Sequence, residues 1–243
     1  MRAFSEANIN GLYARLDLFG IERPVMAKYR TITMKTVLFD LDGTLIDSRA
    51  DIALAVNLTR ADFDLPPLPA EEIEACVGEG VPALIRRAIP EFPELWSEML
   101  ACQRAHYRAH CLDQTVLYVG VVETLSGLVA EGWRLAVVTN KPSDVTPQIL
   151  EGLGISKYFA TVVGGGDCEA LKPDPAPLRL AAFRMGVTLD PDDWMVGDHF
   201  ADMEAAIHAG IRRCFCLYGF GTARGVPYDI AVNQLNDFLI LSR

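Results

Sequence analysis

Regular patterning begins at Lys35. Thr36-Val37-Leu38-Phe39 is a short β-branched and apolar run that stops at Asp40, as a buried strand does. Ser48 with Asp51 three residues on has the form of a capping box. Ile52, Val56 and Phe63 follow at near-helical spacing, so a helix is expected there. Leu65-Pro66-Pro67-Leu68-Pro69 breaks the chain. Residues 70–112 then read as helical throughout, interrupted at Gly78, Gly80, Pro90 and Pro93, with no strand signal.

After Gly120 the rhythm changes. Val121 to Glu131 reads as a helix stopped by Gly132, and Trp133 to Thr139 as a buried strand. Ser143–Leu153, Ala176–Met185 and Ala201–Ala209 read as helices. Phe159–Val163, Trp194–Val196 and Arg212–Leu217 read as strands. Strands alternating with helices imply right-handed crossovers and a parallel sheet covered on both faces. The expected fold is therefore α/β: a Rossmann-like parallel sheet core with helices on both faces and an inserted all-helical domain. The core takes residues 34–52 and 119–243 and the insertion 53–118. Residues 1–33 lack clear periodicity and are expected to be an N-terminal extension, with Met34 directly before the first convincing strand.

Composition narrows the class. Of 243 residues, 51% are hydrophobic and 22% charged, ordinary for a globular protein large enough to need no disulfide staples. The six cysteines form no CxxC pair and read as reduced thiols of a cytoplasmic protein. No apolar run approaches the ~20 residues of a membrane span, and the charged N-terminus has no signal-peptide core. With 22 basic and 32 acidic side chains the net charge is −10, which speaks against nucleic acid as a partner.

The chemistry is expected where strands end, because ligands of open parallel sheets bind beyond the carboxyl ends of the strands. The first strand ends in Asp40-Leu41-Asp42-Gly43-Thr44, the second in Thr139-Asn140 and the fourth in Gly197-Asp198, with Asp202 four residues later. Lys172-Pro173 lies between the third and fourth. Clustered carboxylates repel unless a cation sits among them, and oxygen ligands without His or Cys favour a hard ion such as Mg²⁺. The lysine, the Thr139 hydroxyl and the N–H groups of the Gly43-Thr44 turn suit a tetrahedral dianion. A carboxylate can attack a phosphoryl group to give an aspartyl-phosphate.

These four motifs, in this order and spacing over residues 35–220, resemble those of the haloacid-dehalogenase-like superfamily. The insertion after the first motif looks like that family's helical cap. Within it, Leu41 to Ser48, Val77-Gly78-Glu79-Gly80, Lys172 to Leu178 and Tyr218-Gly219-Phe220-Gly221 are most similar to phosphoglycolate phosphatases. The resemblance implies Asp40 as nucleophile and Asp42 as general acid and then base. It implies Thr139, Asn140 and Lys172 on the phosphoryl oxygens, and Mg²⁺ held by Asp40, the Asp42 carbonyl and Asp198 with Asp202 in support. The substrate it implies is a small anionic phosphate ester, 2-phosphoglycolate foremost, for a monomer or homodimer. A sugar phosphomutase shares nearly all of these motifs. A regulatory or binding protein that keeps the fold without turnover is the third reading, and the intact catalytic set argues against it.

Three departures touch the surroundings of the site: His199-Phe200 after Asp198, Arg49-Ala50 after Ser48, and Val119 before Gly120. A bulky Phe200 is expected to narrow the metal-side loop. Gly78, Glu79 and Gly80 are the candidates for substrate contact from the insertion, since glycines permit close backbone approach. Arg49 is a lesser candidate for a substrate carboxylate. Cys102, His106 and His110 fall on one helical face at a spacing that can ligate Zn²⁺, though packing is the commoner use of such a stripe. Cys214 and Cys216 are expected to be buried core thiols.

Overall fold

Val37, Leu38 and Phe39 are all fully buried, yet they face two ways. Val37 and Phe39 join a large apolar cluster, while Leu38 joins a smaller one with Ala136, Val138 and Met195. That alternation is the period-two geometry of a strand covered on both faces. The computed structural model describes residues 35–242 and places this strand, β1 (Thr36–Phe39), inside a six-stranded sheet. Its other members are β4 (Arg134–Pro142), β5 (Thr161–Gly165), β6 (Trp194–Gly197), β7 (Arg212–Cys216) and β8 (Ile230–Val232). The order is β5-β4-β1-β6-β7-β8, and every neighbouring pair is parallel. β1 thus runs between β4 and β6. The carboxyl ends of these three strands meet at one edge, the crevice where such sheets bind ligands.

The crossovers are helices, as the alternating pattern requires. α5 (Val121–Ala130) precedes β4 and α6 (Thr146–Gly152) follows it. α7 (Ala176–Met185) leads to β6 and α8 (Phe200–Ala209) to β7. A short α9 (Phe238–Leu241) closes the chain and brings Phe238 edge-on to Phe39 and Trp194, at 6.5 and 5.5 Å between ring centroids. Each such buried aromatic side chain contributes roughly 2–3 kcal/mol of apolar transfer. Cys214 and Cys216 lie in this core, and none of the six cysteines is disulfide-bonded.

Between β1 and α5 the chain builds a helical layer: α1 (Arg49–Asp62), α2 (Ala70–Glu74), α3 (Val81–Ala88) and α4 (Trp96–His110). It is joined to the core through a neck of two short antiparallel strands, β2 (Ile46–Asp47) and β3 (Val116–Leu117). Two-residue strands carry no periodicity, so the sequence pattern marks neither: Ile46–Asp47 falls within the expected core segment 34–52 and Val116–Leu117 within the expected insertion 53–118. The Ser48–Asp51 capping box does not form either. Ser48 donates its hydroxyl to Asp42 at 2.5 Å, and Asp51 accepts from the N–H groups of Gln114 and Thr115 and from the Thr115 hydroxyl at 2.7–3.1 Å. Both side chains have long-range partners in place of the local one, and Asp51 fastens the returning chain to the start of α1.

Arg60 holds the helical layer together internally. It is 2% exposed and donates to the carbonyls of Pro66 and Ala88 at 2.7 and 2.6 Å and to the Glu91 carboxylate at 2.9 Å. It thereby satisfies the proline break after α1 and the C-terminus of α3 with one guanidinium. Arg60→Ala leaves these buried acceptors and half of an ion pair unmatched, and should lower stability by about 2–4 kcal/mol. Urea denaturation measures this; a change below about 0.5 kcal/mol would show that the layer does not depend on Arg60.

Candidate active site

The centre of the strand-end crevice is an ion-pair triad. Lys172 is brought in by the loop before α7, its side chain 1% exposed, and lies 2.9 Å from Asp40 and 2.6 Å from Asp202. Its Nζ also donates to the Val138 carbonyl at 2.6 Å. Burial works against the ammonium, but Asp202 and Asp40 outweigh it and push its pKa up. Asp202 is held in place by the helix it begins: its other oxygen accepts from the His199 N–H at 3.1 Å, the N-terminal cap of α8.

Asp198, at the end of β6, sits in a cradle of backbone donors. The N–H groups of Phe220 and Gly221 reach its Oδ2 at 3.0 and 2.7 Å, and the Thr44 hydroxyl lies 3.3 Å from Oδ1. The turn that carries Thr44 depends on Gly43. Its φ is +79°, and a Cβ there would stand 2.0 Å from Asp198. The Tyr218 hydroxyl pins the same turn through the Thr44 carbonyl at 2.7 Å. Residues 218–221, legible in the sequence only as a family-like stretch, therefore supply the donors around Asp198. Backbone donors leave no side-chain signature, which is why residue-type reasoning missed them.

Asp40, Asp198 and Asp202 are buried together, with ligand atoms within 4.8 Å of one another. Burial raises the Asp40 pKa to about 6, and the charge of Asp202 adds to the rise while Lys172 opposes it. Burial, then Asp40 and Asp202, lift Asp198 well above the ordinary carboxylate value. One lysine does not neutralise three carboxylates. The donor set is all oxygen, and the ammonium beside the buried Asp40 Oδ1 is one that it shares with Asp202. These residues fit a hard cation.

Asp42 lies two residues beyond Asp40 and faces the same pocket. Its carboxylate accepts from Ser48 and, through both oxygens, from Lys141 Nζ at 2.7 and 2.9 Å. Thr139 lines the pocket too, its hydroxyl oxygen accepting from the Lys141 N–H at 3.2 Å. Asn140 is positioned differently from the expectation. Its amide oxygen accepts from the Lys172 N–H at 2.9 Å, and its Nδ2 donates to the carbonyls of Lys172 and Gly78 at 2.9 and 3.1 Å. The Asn140 side chain thus ties the lysine loop and the helical layer to the end of β4, rather than pointing unpartnered at a ligand.

On the helical side, Gly78 and Gly80 line the pocket while Glu79 turns away to Arg87 and Arg224 at 2.7 and 3.2 Å. Gly78 has φ +116°, and a Cβ there would meet the His199 ring at 2.7 Å. His199, not Phe200, lines the pocket. Phe200 instead stacks under Arg224 at 4.2 Å, so the expected narrowing by Phe200 is replaced by an imidazole. Burial lowers the His199 pKa to about 4, keeping the ring neutral near pH 7. Arg49 pairs with Asp47 and Glu74 at 2.7 and 3.5 Å, outside the pocket lining. Cys102 and His106 do meet, on Asp62 at 2.8 and 2.7 Å, but His110 is drawn to Asp113 at 2.8 Å. The three-residue stripe is therefore not one ligand set, and hydrogen bonding to Asp62 accounts for the pair that remains.

Residues 37–216 match the family model described as haloacid dehalogenase-like hydrolase. A phosphoglycolate phosphatase of Chromobacterium violaceum is 35% identical over 217 residues, covering 86% of this chain and 97% of its own. One from Colwellia psychrerythraea is 39% identical over 194 residues, covering 76% and 85%. A crystal structure from Haemophilus somnus 129pt, described as a predicted phosphoglycolate phosphatase, aligns with a TM-score of 0.81 at 29% identity, covering 88% of this chain and all of the other. Among the described residues no helix is long and apolar enough to cross a membrane. The strand-end carboxylates, the buried lysine and the matched span agree, and the chain belongs to the haloacid dehalogenase-like hydrolase family.

Proposed function

We propose that the chain is a Mg²⁺-dependent phosphomonoester hydrolase whose substrate is 2-phosphoglycolate and whose reaction passes through an aspartyl-phosphate on Asp40. The observation that carries this reading is the Asp40–Lys172–Asp202 triad at the end of β1, with a second carboxylate, Asp42, two residues on. The substrate is supported by the name that the relatives share.

In the first step an Asp40 oxygen attacks phosphorus as the P–O bond to glycolate breaks. Asp42 gives its proton to the departing oxygen. In the second step water attacks the aspartyl-phosphate, Asp42 takes the proton from that water, and Asp40 is released with inorganic phosphate. The difficulty is anion meeting anion, and Lys172 relieves it by pairing with Asp40 and the phosphoryl oxygens. The Thr139 hydroxyl holds those oxygens, whereas the N–H groups of Gly43 and Thr44, expected from the sequence to share that role, instead donate to the carbonyls of Ile46 and Leu41 at 2.9 and 3.2 Å. Asn140 positions Lys172 through the two hydrogen bonds between its amide and the Lys172 backbone.

Asp40, Asp198 and the Asp42 main-chain carbonyl are the residues that would hold Mg²⁺, with Asp202 in support. When bound, the ion supplies charge neutralisation and Lewis-acid polarisation at the phosphoryl group. The helical segment 53–118 acts as a lid that excludes water, meeting the core where Gly78 accepts from Asn140 at 3.1 Å. The setting in this reading is cytoplasmic, for a monomer or homodimer.

Two outcomes are expected. In a Mg²⁺-supplemented phosphate-release assay on 2-phosphoglycolate, Asp40→Asn should lower turnover at least ~10³-fold; a loss below tenfold would remove Asp40 as nucleophile. The second concerns stability. Without cation, Asp40 and Asp198 have raised folded-state pKa values, so their contribution is complete below the unfolded value of 3.8 and is lost as pH rises, for Asp40 through about 6. His199, with a folded pKa lowered from 6.5 to about 4, runs in the opposite direction over nearly the same range. The difference with and without Mg²⁺ removes that opposing trend. The Mg²⁺-induced rise in Tm should be small at pH 5 and grow towards pH 7.5; a pH-independent rise, or none, would contradict the cation site.

A further inference from the structure

The pocket has a second polar end that the reaction above does not use. Lys141 directly follows the Thr139-Asn140 pair, and its side chain is 4% exposed. Its ammonium touches Asp42 and stands 4.4 Å over the Tyr107 ring. Gln103 and Tyr107 lie four residues apart on one face of α4, and both are buried, at 2% and 6% exposure, while lining the same pocket. The Gln103 amide oxygen has no hydrogen-bond partner among the described residues, and the Tyr107 hydroxyl has only the Lys141 ammonium beside it. Buried polar atoms are nearly always matched, and here the Lys141 ammonium, the Tyr107 O–H and the N–H₂ of the Gln103 amide are donors from which a ligand oxygen can accept, so this end of the pocket marks a place for a polar ligand group.

The charges say which group. Lys141 has Asp42 as its carboxylate partner. Once Asp42 turns to the ester oxygen of a substrate, a buried ammonium is left without a counter-ion, which is unfavourable unless the substrate brings one. In an ester with one carbon between oxygen and carboxylate, the carboxylate lies within about 4 Å of that oxygen, by ordinary bond lengths. Lys141 Nζ lies 2.7 and 2.9 Å from the Asp42 oxygens, so the spacing suits a short phosphorylated 2-hydroxy acid.

We propose that Lys141, with Tyr107 and Gln103 from α4, forms the subsite that receives the substrate carboxylate, and that this subsite selects short phosphorylated acids over uncharged phosphate esters. The inference rests on the phosphatase reading above and adds the residues that read the leaving group. Because Lys141 comes from β4 and its companions from α4, the subsite is complete only when the helical layer is seated on the sheet. Carboxylate recognition and lid closure are then one event.

The test compares kcat/KM for 2-phosphoglycolate with that for ethyl phosphate, which matches its length but lacks the carboxylate. The wild-type protein should favour 2-phosphoglycolate at least ~100-fold, a modest demand on a site with buried polar groups to match. Lys141→Met should reduce that preference to within about fivefold, mainly by raising KM for 2-phosphoglycolate, and Lys141→Arg should recover part of it. Tyr107→Phe and Gln103→Leu should each cut it several-fold, and these carry the comparison if Lys141→Met does not fold. A Lys141→Met protein that loses activity on both esters equally, with the preference intact, would overturn the subsite while leaving the phosphatase reading standing. So would an undiminished preference in both Tyr107→Phe and Gln103→Leu. A wild-type protein with no preference would overturn the substrate reading itself, and the subsite with it.

Discussion

A buried lysine between two carboxylates is the constraint on which the crevice depends. Lys172 holds Asp40 and Asp202 at 2.9 and 2.6 Å with its side chain 1% exposed, and each of those acids belongs to a different element. Asp40 ends β1 and Asp202 opens α8, so the ion pairs tie strand, helix and the loop before α7 into one rigid corner. Removing a partner from such a cluster leaves an uncompensated buried charge, and keeping it leaves too much negative charge for one ammonium. The surplus negative charge of Asp40, Asp198 and Asp202 is what makes the cluster a fit for a cation.

The supporting structure follows from that need. Asp202 is capped on the His199 N–H, Asp198 is cradled by Phe220 and Gly221, and the Gly43 turn has no room for a side chain against Asp198. The net charge of −10 is consistent with an anionic substrate, because the field that matters is local. There Lys141 lines the pocket beside Asp40, Asp42 and Asp198, and the Lys172 ammonium pairs with Asp40 from behind it.

Much of this was legible along the chain because parallel sheets line up strand ends. Asp40, Thr139 and Asp198 each follow a readable apolar run, so their convergence could be inferred before any coordinates. The parts that were not legible share a physical reason: they depend on partners distant in sequence or on the main chain. Ser48 looked like a helix cap until Asp42 claimed its hydroxyl. Lys141 falls just past the Thr139-Asn140 strand end read from the sequence, but β4 runs on to Pro142 with a register shift after Val138, and Lys141 lines the pocket. The neck strands are too short to show a period. Glu79 sits between two pocket glycines, and only the folded chain reveals Arg87 and Arg224 drawing it outward.

The proposed cation site sets protons and the ion in competition for the same buried carboxylate oxygens. Calorimetric titration of the cation-free protein with Mg²⁺ at pH 6, in two buffers of different ionisation enthalpy, tests it most directly. The pH lies near the value to which burial and Asp202 raise Asp40, about 6. One saturable site with protons released to the buffer is the expected result, because the ion and the protons compete for the same oxygens. No saturable binding, or binding without proton release, would contradict the account.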